Sequence, residues 1–133
     1  LLKKHRNEYK RTLKDSVKVY LLIDEYLGEI FKEEQSDEGR KSETIQTIKN
    51  GMNRFREFVM SHDIRLTDFK NRKKCKEFFI KYIEHHKQRG MKRNTIKSYI
   101  KNVRGFLNWL CDEDIGKGIL DSHPISVEFM IKI

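Results

Sequence analysis

Hydrophobic residues recur every three or four positions in four separate stretches of the chain. The first stretch lies within residues 13–33, and the others begin near residues 42, 71 and 94. This spacing puts each apolar set on one side of an α-helix, because a helix turns once in about 3.6 residues. No stretch shows the apolar–polar alternation of a strand. The pattern predicts an all-α fold, a compact bundle of four main helices.

The predicted core consists of the apolar residues of these four stripes. On the first helix they are Leu13, Val17, Tyr20, Ile23, Leu27, Ile30 and Phe31. On the second they are Ile45, Ile48, Met52, Phe55, Phe58 and Val59. On the third they are Cys75, Phe78, Phe79, Tyr82, Ile83 and, at the edge, His86. On the fourth they are Ile96, Tyr99, Ile100, Val103, Phe106, Leu107 and Leu110, with Trp109 at the edge.

Short polar residues that favour helix starts precede each stripe. The predicted caps, in chain order, are Asp15 or Ser16, Ser42, Asp68 or Asn71, and Asn94 or Thr95. Gly90 is predicted to end the third helix. The apolar period lapses in residues 34–41 and 61–70, which are predicted as connections. After a turn at 115–118, Ile119 and Leu120 are expected to fold back onto the core, and Pro124 stops further helix.

These signals divide the chain into one domain and two flanking segments. Residues 13–124 form the predicted domain, and residues 125–133 begin a linker. Residues 1–12 are a basic extension for which both a helix and a tail that orders on binding stay open. Because the chain starts at Leu1 rather than Met, we expect it to be a fragment of a longer protein.

The net charge of +9 is concentrated in the middle of the chain. Residues 42–110 contain 17 basic and 6 acidic residues, a net charge of +11, whereas residues 1–41 have +1 and residues 111–133 have −3. Such a local excess attracts polyanions, and a bound phosphate backbone releases counterions. The excess therefore favours a nucleic-acid partner, while a lysine-rich solvated surface stays the plain alternative.

Several other classes of protein are excluded by the sequence. The longest apolar run, Val19–Ile23, is far shorter than the ~20 residues of a membrane span, so we expect neither a membrane partner nor a secretory leader. Cys75 and Cys111 are predicted to be free thiols, as in a reducing cytosol. Neighbouring His85 and His86 point about 100° apart and cannot chelate one metal. We find no catalytic constellation, and we expect no cofactor, metal or small-molecule ligand.

The fourth helix separates its basic residues from its apolar stripe. At about 100° per residue, Lys97, Lys101 and Arg104 form one line away from the core. Lys92 and Arg93 stand just before this helix, whose first free N–H groups favour phosphate. Asn94, Thr95 and Ser98 add short hydrogen-bonding side chains.

A second basic cluster opens the third helix. Arg72, Lys73, Lys74 and Lys76 occupy its first turns, where the helix macrodipole disfavours cations unless an anion lies near. The second helix has a weaker polar face, with Lys49 and Asn50 off its apolar stripe. Both features support the same anionic partner.

The order of these signals resembles the N-terminal core-binding, SAM-like domain of tyrosine recombinases, the phage-integrase family. The resemblance rests on four stretches in order: Ser42-Glu43-Thr44-Ile45 leading to Phe58-Val59, Gly90 to Ile96, Val103 to Leu110, and His123-Pro124. His123 departs from the family's usual Asn. The stretch before Val17 has no counterpart in the family pattern.

The resemblance implies a domain that clamps one face of duplex DNA at a recombination site, in a cytoplasmic, nucleoid-associated protein of a mobile genetic element. A separate catalytic domain would supply the chemistry, so no residue here inherits a catalytic role. The implied DNA contacts are Thr44, Lys49, Asn50, Lys92, Arg93, Asn94, Thr95, Lys97, Lys101 and Arg104. The first helix would help protomers associate through Tyr20, Tyr26 and Phe31.

Two other functions remain open from the sequence. A helical interaction module could present the same basic stripe to an acidic protein. A helix-turn-helix regulator would need a tight turn between two helices, and only Arg89 to Arg93 approaches one. The fourth helix would then be the recognition helix.

Overall fold

The computed structural model describes residues 17–34, 42–112, 118 and 120. Over these residues the chain forms five α-helices and no strand. They are α1 (Val19–Glu34), α2 (Ser42–Ser61), α3 (Leu66–Lys70), α4 (Arg72–Gln88) and α5 (Arg93–Cys111). The predicted all-α fold is confirmed, and the four long helices α1, α2, α4 and α5 correspond to the four predicted ones.

The first helix starts later than the apolar pattern indicates. Val17 and Lys18 lie outside α1, because their backbone pairs with the segment before α3: Val19 donates to the carbonyl of Ile64 and Leu66 donates to the carbonyl of Val17, both at 2.9 Å. This pairing of distant segments replaces the expected first turn. Leu13, Asp15 and Ser16 lie outside the described residues.

The short helix α3 was not predicted. Residues 61–70 show no helical period, yet Leu66 and Phe69 are buried one turn apart. Asp68 accepts a hydrogen bond from the backbone N–H of Arg65 at 2.9 Å at the start of α3. Asn71 accepts one from the N–H of Lys74 at 3.1 Å and caps α4. The two alternative caps thus serve two successive helices.

The helix pairs pack around one aromatic core. Phe55 of α2 stacks on Phe79 of α4 at 5.6 Å between ring centroids and meets Tyr82 edge-on at 5.3 Å. Phe106 of α5 lies 6.5 Å from Phe55 and 5.5 Å from Tyr26 of α1. Such offset-stacked and edge-to-face pairs stabilise the fold by more than the burial of their apolar area alone. All six core positions predicted for the third helix are buried.

On α1 the structure corrects two predictions. Tyr26, which the resemblance implies for contacts between protomers, is only 6% exposed and packs against Phe106 and Trp109. Phe31, predicted as core, is 52% exposed. Val19, Leu22, Ile23, Tyr26 and Ile30 form the buried side of α1, whereas Phe31 lies on the side near Lys49 of α2. On that side Arg56 of α2 donates two hydrogen bonds to Asp24, and the Asp24 carboxylate raises the pKa of Arg56.

The chain beyond α5 returns to the core in part. Leu120 is buried and its N–H donates to the carbonyl of Leu110 at 3.2 Å, which confirms the predicted return for this residue. Outside the described residues lie Ile119, Pro124 and the first three residues of the predicted turn, 115–117. So do residues 1–12 and 125–133, and the boundaries drawn at 12 and 124 remain predictions.

Candidate nucleic-acid interface

A left-handed turn joins α4 to α5. Gly90 has φ of +76°, a conformation that a residue without a Cβ adopts freely. The N–H of Gly90 donates to Lys87 at 3.0 Å and that of Met91 to His86 at 3.1 Å, the paired bonds of a Schellman ending. Gly90 therefore ends the helix as predicted, and the turn brings Lys92 directly to the start of α5.

The start of α5 has no side-chain cap. The N-cap residue is Lys92, with extended backbone, and its side chain has no acceptor atom. The predicted caps Asn94 and Thr95 are wrong: the N-cap is Lys92, and both predicted residues lie inside the first turn of α5. The first N–H groups of α5 are therefore left to an acceptor from outside the helix, such as a phosphate oxygen.

The basic stripe of α5 faces away from the core. Lys97 and Lys101 are exposed, and Arg104 is half-buried beside them. No acidic residue occurs anywhere in α5, from Arg93 to Cys111. Among the described residues, none of the stripe's three cations makes an ion pair. The stripe and the uncapped helix start thus form one positively charged surface without internal neutralisation.

This surface is held in place by a close contact between α5 and α2. Asn102 of α5 donates to the backbone carbonyl of Thr47 at 3.3 Å. Gly51 leaves room for it, since a Cβ at that position would lie 3.3 Å from both Cβ and Cγ of Asn102. Sequence reasoning missed both residues, although an isolated Gly inside a helical pattern is a known signal of close packing.

The predicted contacts on α2 divide between two sides of that helix. Thr44 and Asn50 are exposed, and Asn50 accepts a hydrogen bond from Gln46 at 3.0 Å. Lys49 points to the α1 side, with its Nζ 4.9 Å from the ring centroid of Phe31. The contact with α5 runs instead through Thr47 and Gly51. Of the three DNA contacts predicted on α2, Lys49 is therefore the one whose ammonium group points away from α5.

Two buried polar side chains lie behind the start of α5. Among the described residues, the hydroxyl of Tyr82 and both ring nitrogens of His86 have no hydrogen-bond partner. The His86 ring lies 4.5 Å from that of Tyr82 and 5.3 Å from that of Tyr99 on α5. Burial, followed by the charges of His85, Arg89 and Arg54, lowers the pKa of His86 to about 4. The imidazole is thus neutral at physiological pH and part of the core, as predicted.

Chemistry at the remaining reactive side chains is limited by burial. Burial raises the pKa of the Cys75 thiol to about 12, so its thiolate is scarce at neutral pH. No group of three His, Cys, Asp or Glu side chains able to hold a metal ion occurs among the described residues. None of the described helices is both long and apolar enough to span a membrane.

Comparison with known families agrees with this architecture. The family model of the phage integrase SAM-like domain matches residues 25–125, from the second turn of α1 past the end of α5. No curated protein and no solved structure matches the chain. Since the family match covers about three quarters of the sequence, the chain belongs to the phage integrase SAM-like domain family.

Proposed function

We propose that this chain is the DNA-binding core-binding domain of a tyrosine recombinase, and that it clamps one face of the duplex at a recombination site. The family supports the class of parent protein, because the SAM-like domain is a non-catalytic part of integrases. Breakage and rejoining of DNA would then belong to another domain of the parent protein. The same proposal includes a surface on this domain that contacts other recombinase protomers.

The observation that carries the proposal is the composition of α5. Its nineteen residues include four cations and no carboxylate, and its first N–H groups lack a cap. A helix face that is merely solvated usually intersperses both signs of charge, with Glu and Lys paired at i,i+4. The unbalanced face of α5 instead suits an external polyanion with regularly spaced phosphates.

The contacts fall into two groups under this proposal. Lys92, Arg93 and the N–H groups of the first turn hold phosphate at the helix start, and Lys97, Lys101 and Arg104 follow the backbone along the helix. Asn94, Thr95, Thr44 and Asn50 supply hydrogen bonds, while Lys49 would have to leave the Phe31 ring to take part. Because most of these are phosphate contacts, binding should be weakly dependent on sequence.

Fluorescence anisotropy with a labelled random duplex tests the function directly. With ~5 phosphates neutralised, log K should fall against log salt with a slope of about −4 to −5. An acidic peptide of matched charge serves as the competing partner. A flat salt dependence, or tighter binding of the peptide than of DNA, would replace the recombinase proposal by that of an interaction module for acidic proteins.

A further inference from the structure

A second row of cations runs along α4. Lys73, Lys76, Ile80, Ile83 and Lys87 follow one another at intervals of three and four, so they form one line on the helix. The three lysines are exposed, Ile80 is 39% exposed, and Ile83 is buried at the base of the line. No acidic residue lies in the first turn of α4, whereas Glu77 and Glu84 lie on the solvent side of the row, one turn from Lys73 and Lys87. Among the described residues, none of the three lysines has an ion pair.

Contacts of the α4 aromatic residues show which side of α4 this row occupies. Phe58 of α2 covers one side, with its ring 5.3 Å from Phe78 and 5.2 Å from His85. His86, one residue and about 100° further round, meets Tyr99 of α5 at 5.3 Å. In the same direction around the axis of α4, the three lysines of the row lie about 80–140° beyond His86. It therefore borders the α4–α5 contact on the side away from α2.

The residues of α5 follow a corresponding order. Asn102 contacts α2. Tyr99, which lies about 60° further around the axis of α5, contacts α4. Buried Ile96 and Ile100 come next, and Arg104 and Lys97 lie about 140–160° beyond Tyr99. The basic stripe of α5 thus also lies on the side of the α4–α5 contact that faces away from α2. The α4 row and the α5 stripe therefore lie on the same side of the α4–α5 pair.

We propose that the row of Lys73, Lys76 and Lys87 is a second line of phosphate contacts for the same DNA duplex that α5 binds. This inference rests on the proposed function. Because both rows lie on the same side of the α4–α5 pair, one duplex laid across these two helices reaches both of them. The α5 stripe then meets the phosphates of one strand and the α4 row those of the other. A bound polyanion would also offset the unfavourable position of Lys73 and Lys76 at the start of a helix.

Two matched double variants test the row. Lys76→Gln/Lys87→Gln removes two charges from the row, and Lys32→Gln/Lys81→Gln removes two exposed lysines outside it, on α1 and on the opposite flank of α4. Affinity for a random duplex is measured by anisotropy at several salt concentrations. Loss of two phosphate contacts should make the salt slope about 2 smaller in magnitude and weaken binding roughly tenfold. The control pair should weaken binding less than threefold.

The outcomes separate this inference from the function on which it rests. If the unchanged chain binds DNA and reversal of Lys97, Lys101 and Arg104 abolishes binding, but the two double variants behave alike, only the second line of contacts is wrong. If the unchanged chain does not bind DNA, both proposals fail. Circular dichroism and melting temperature verify that all variants stay folded, which exposed Lys→Gln changes on a helix permit.

Discussion

Asn102 of α5 lies so close to Gly51 of α2 that a methyl group on Gly51 would overlap the side-chain nitrogen of Asn102. The same nitrogen donates to the carbonyl of Thr47 one turn earlier on α2. The two helices that contain the predicted DNA contacts are therefore registered against each other by one glycine and one amide. Any side chain at position 51 would displace that amide, and with it the alignment of α2 and α5.

The stability of Gly→Ala variants should reveal this contact. Ala is ordinarily preferred over Gly inside a helix by about 1 kcal/mol. At Gly51 the new methyl group must rotate the Asn102 amide away from Thr47, so we expect the gain to vanish or to become a net loss. Gly28 of α1 is exposed, and no atom of the described residues lies within 4 Å of the position of its missing Cβ, so Gly28→Ala should increase the free energy of unfolding by ~0.5–1 kcal/mol. Urea denaturation measures both, and equal gains at the two positions would contradict the contact.

Local periodicity was enough to predict the buried face of α4, but on α1 it placed Phe31 in the core and left out Leu22 and Tyr26. The whole buried set of α4, from Cys75 to His86, follows from the spacing of its apolar residues. The helix starts depended on distant parts of the chain. Val17 and Lys18 leave the helix because Ile64 and Leu66 pair with them, and α5 starts at Arg93 although the best cap residues come one and two positions later. The partner of Gly51 lies in another helix, and no local pattern identifies it.

The stability of the domain should depend on pH through His86. Its folded pKa of about 4 lies below the ordinary value of 6.5, so the unfolded chain binds a proton more readily between these values. The unfolded state is therefore favoured as the pH falls from about 6.5 to 4, by up to ~3 kcal/mol, and little change is expected from this group above pH 7. Chemical denaturation at a series of pH values measures this dependence.

Substitution at His86 provides the matching control. His86→Phe keeps an aromatic ring between Tyr82 and Tyr99 but has no nitrogen to protonate or to leave unpaired. We expect this variant to flatten the pH dependence between 6.5 and 4 without loss of stability at pH 7. His85→Gln changes an exposed neighbour and should preserve the slope. A slope that survives in His86→Phe would assign the effect to other groups.

Phe106 is expected to be among the most costly core positions to truncate. Its ring is fully buried and lies against Tyr26, Phe55 and Trp109, so it joins three helices. Phe106→Ala should decrease the free energy of unfolding by ~3–5 kcal/mol, enough to unfold a marginally stable domain. Phe31→Ala removes the same ring from an exposed site on α1 and should cost far less. Similar losses in the two variants would mean that Phe106 is not part of a packed core.

The position of the DNA surface on α5 can be tested by reversing its charges. Lys97→Glu, Lys101→Glu and Arg104→Glu together change the net charge by six and should abolish binding to duplex DNA. Lys97 and Lys101 are exposed, so the loss of stability should stay within ~0.5 kcal/mol for each, with a larger share from the half-buried stem of Arg104. The control reverses Lys32, Lys70 and Lys81, three exposed lysines on α1, on α3 and on the far flank of α4, and changes the net charge equally. If the domain responded only to total charge, both triple variants would lose affinity alike.

A loss of affinity confined to the α5 variant would instead require specific phosphate contacts on that helix, because the net charge of the two variants is changed by the same amount. Anisotropy titrations of both variants against one duplex at one salt concentration distinguish these outcomes, and equal losses would remove α5 as the DNA-facing element.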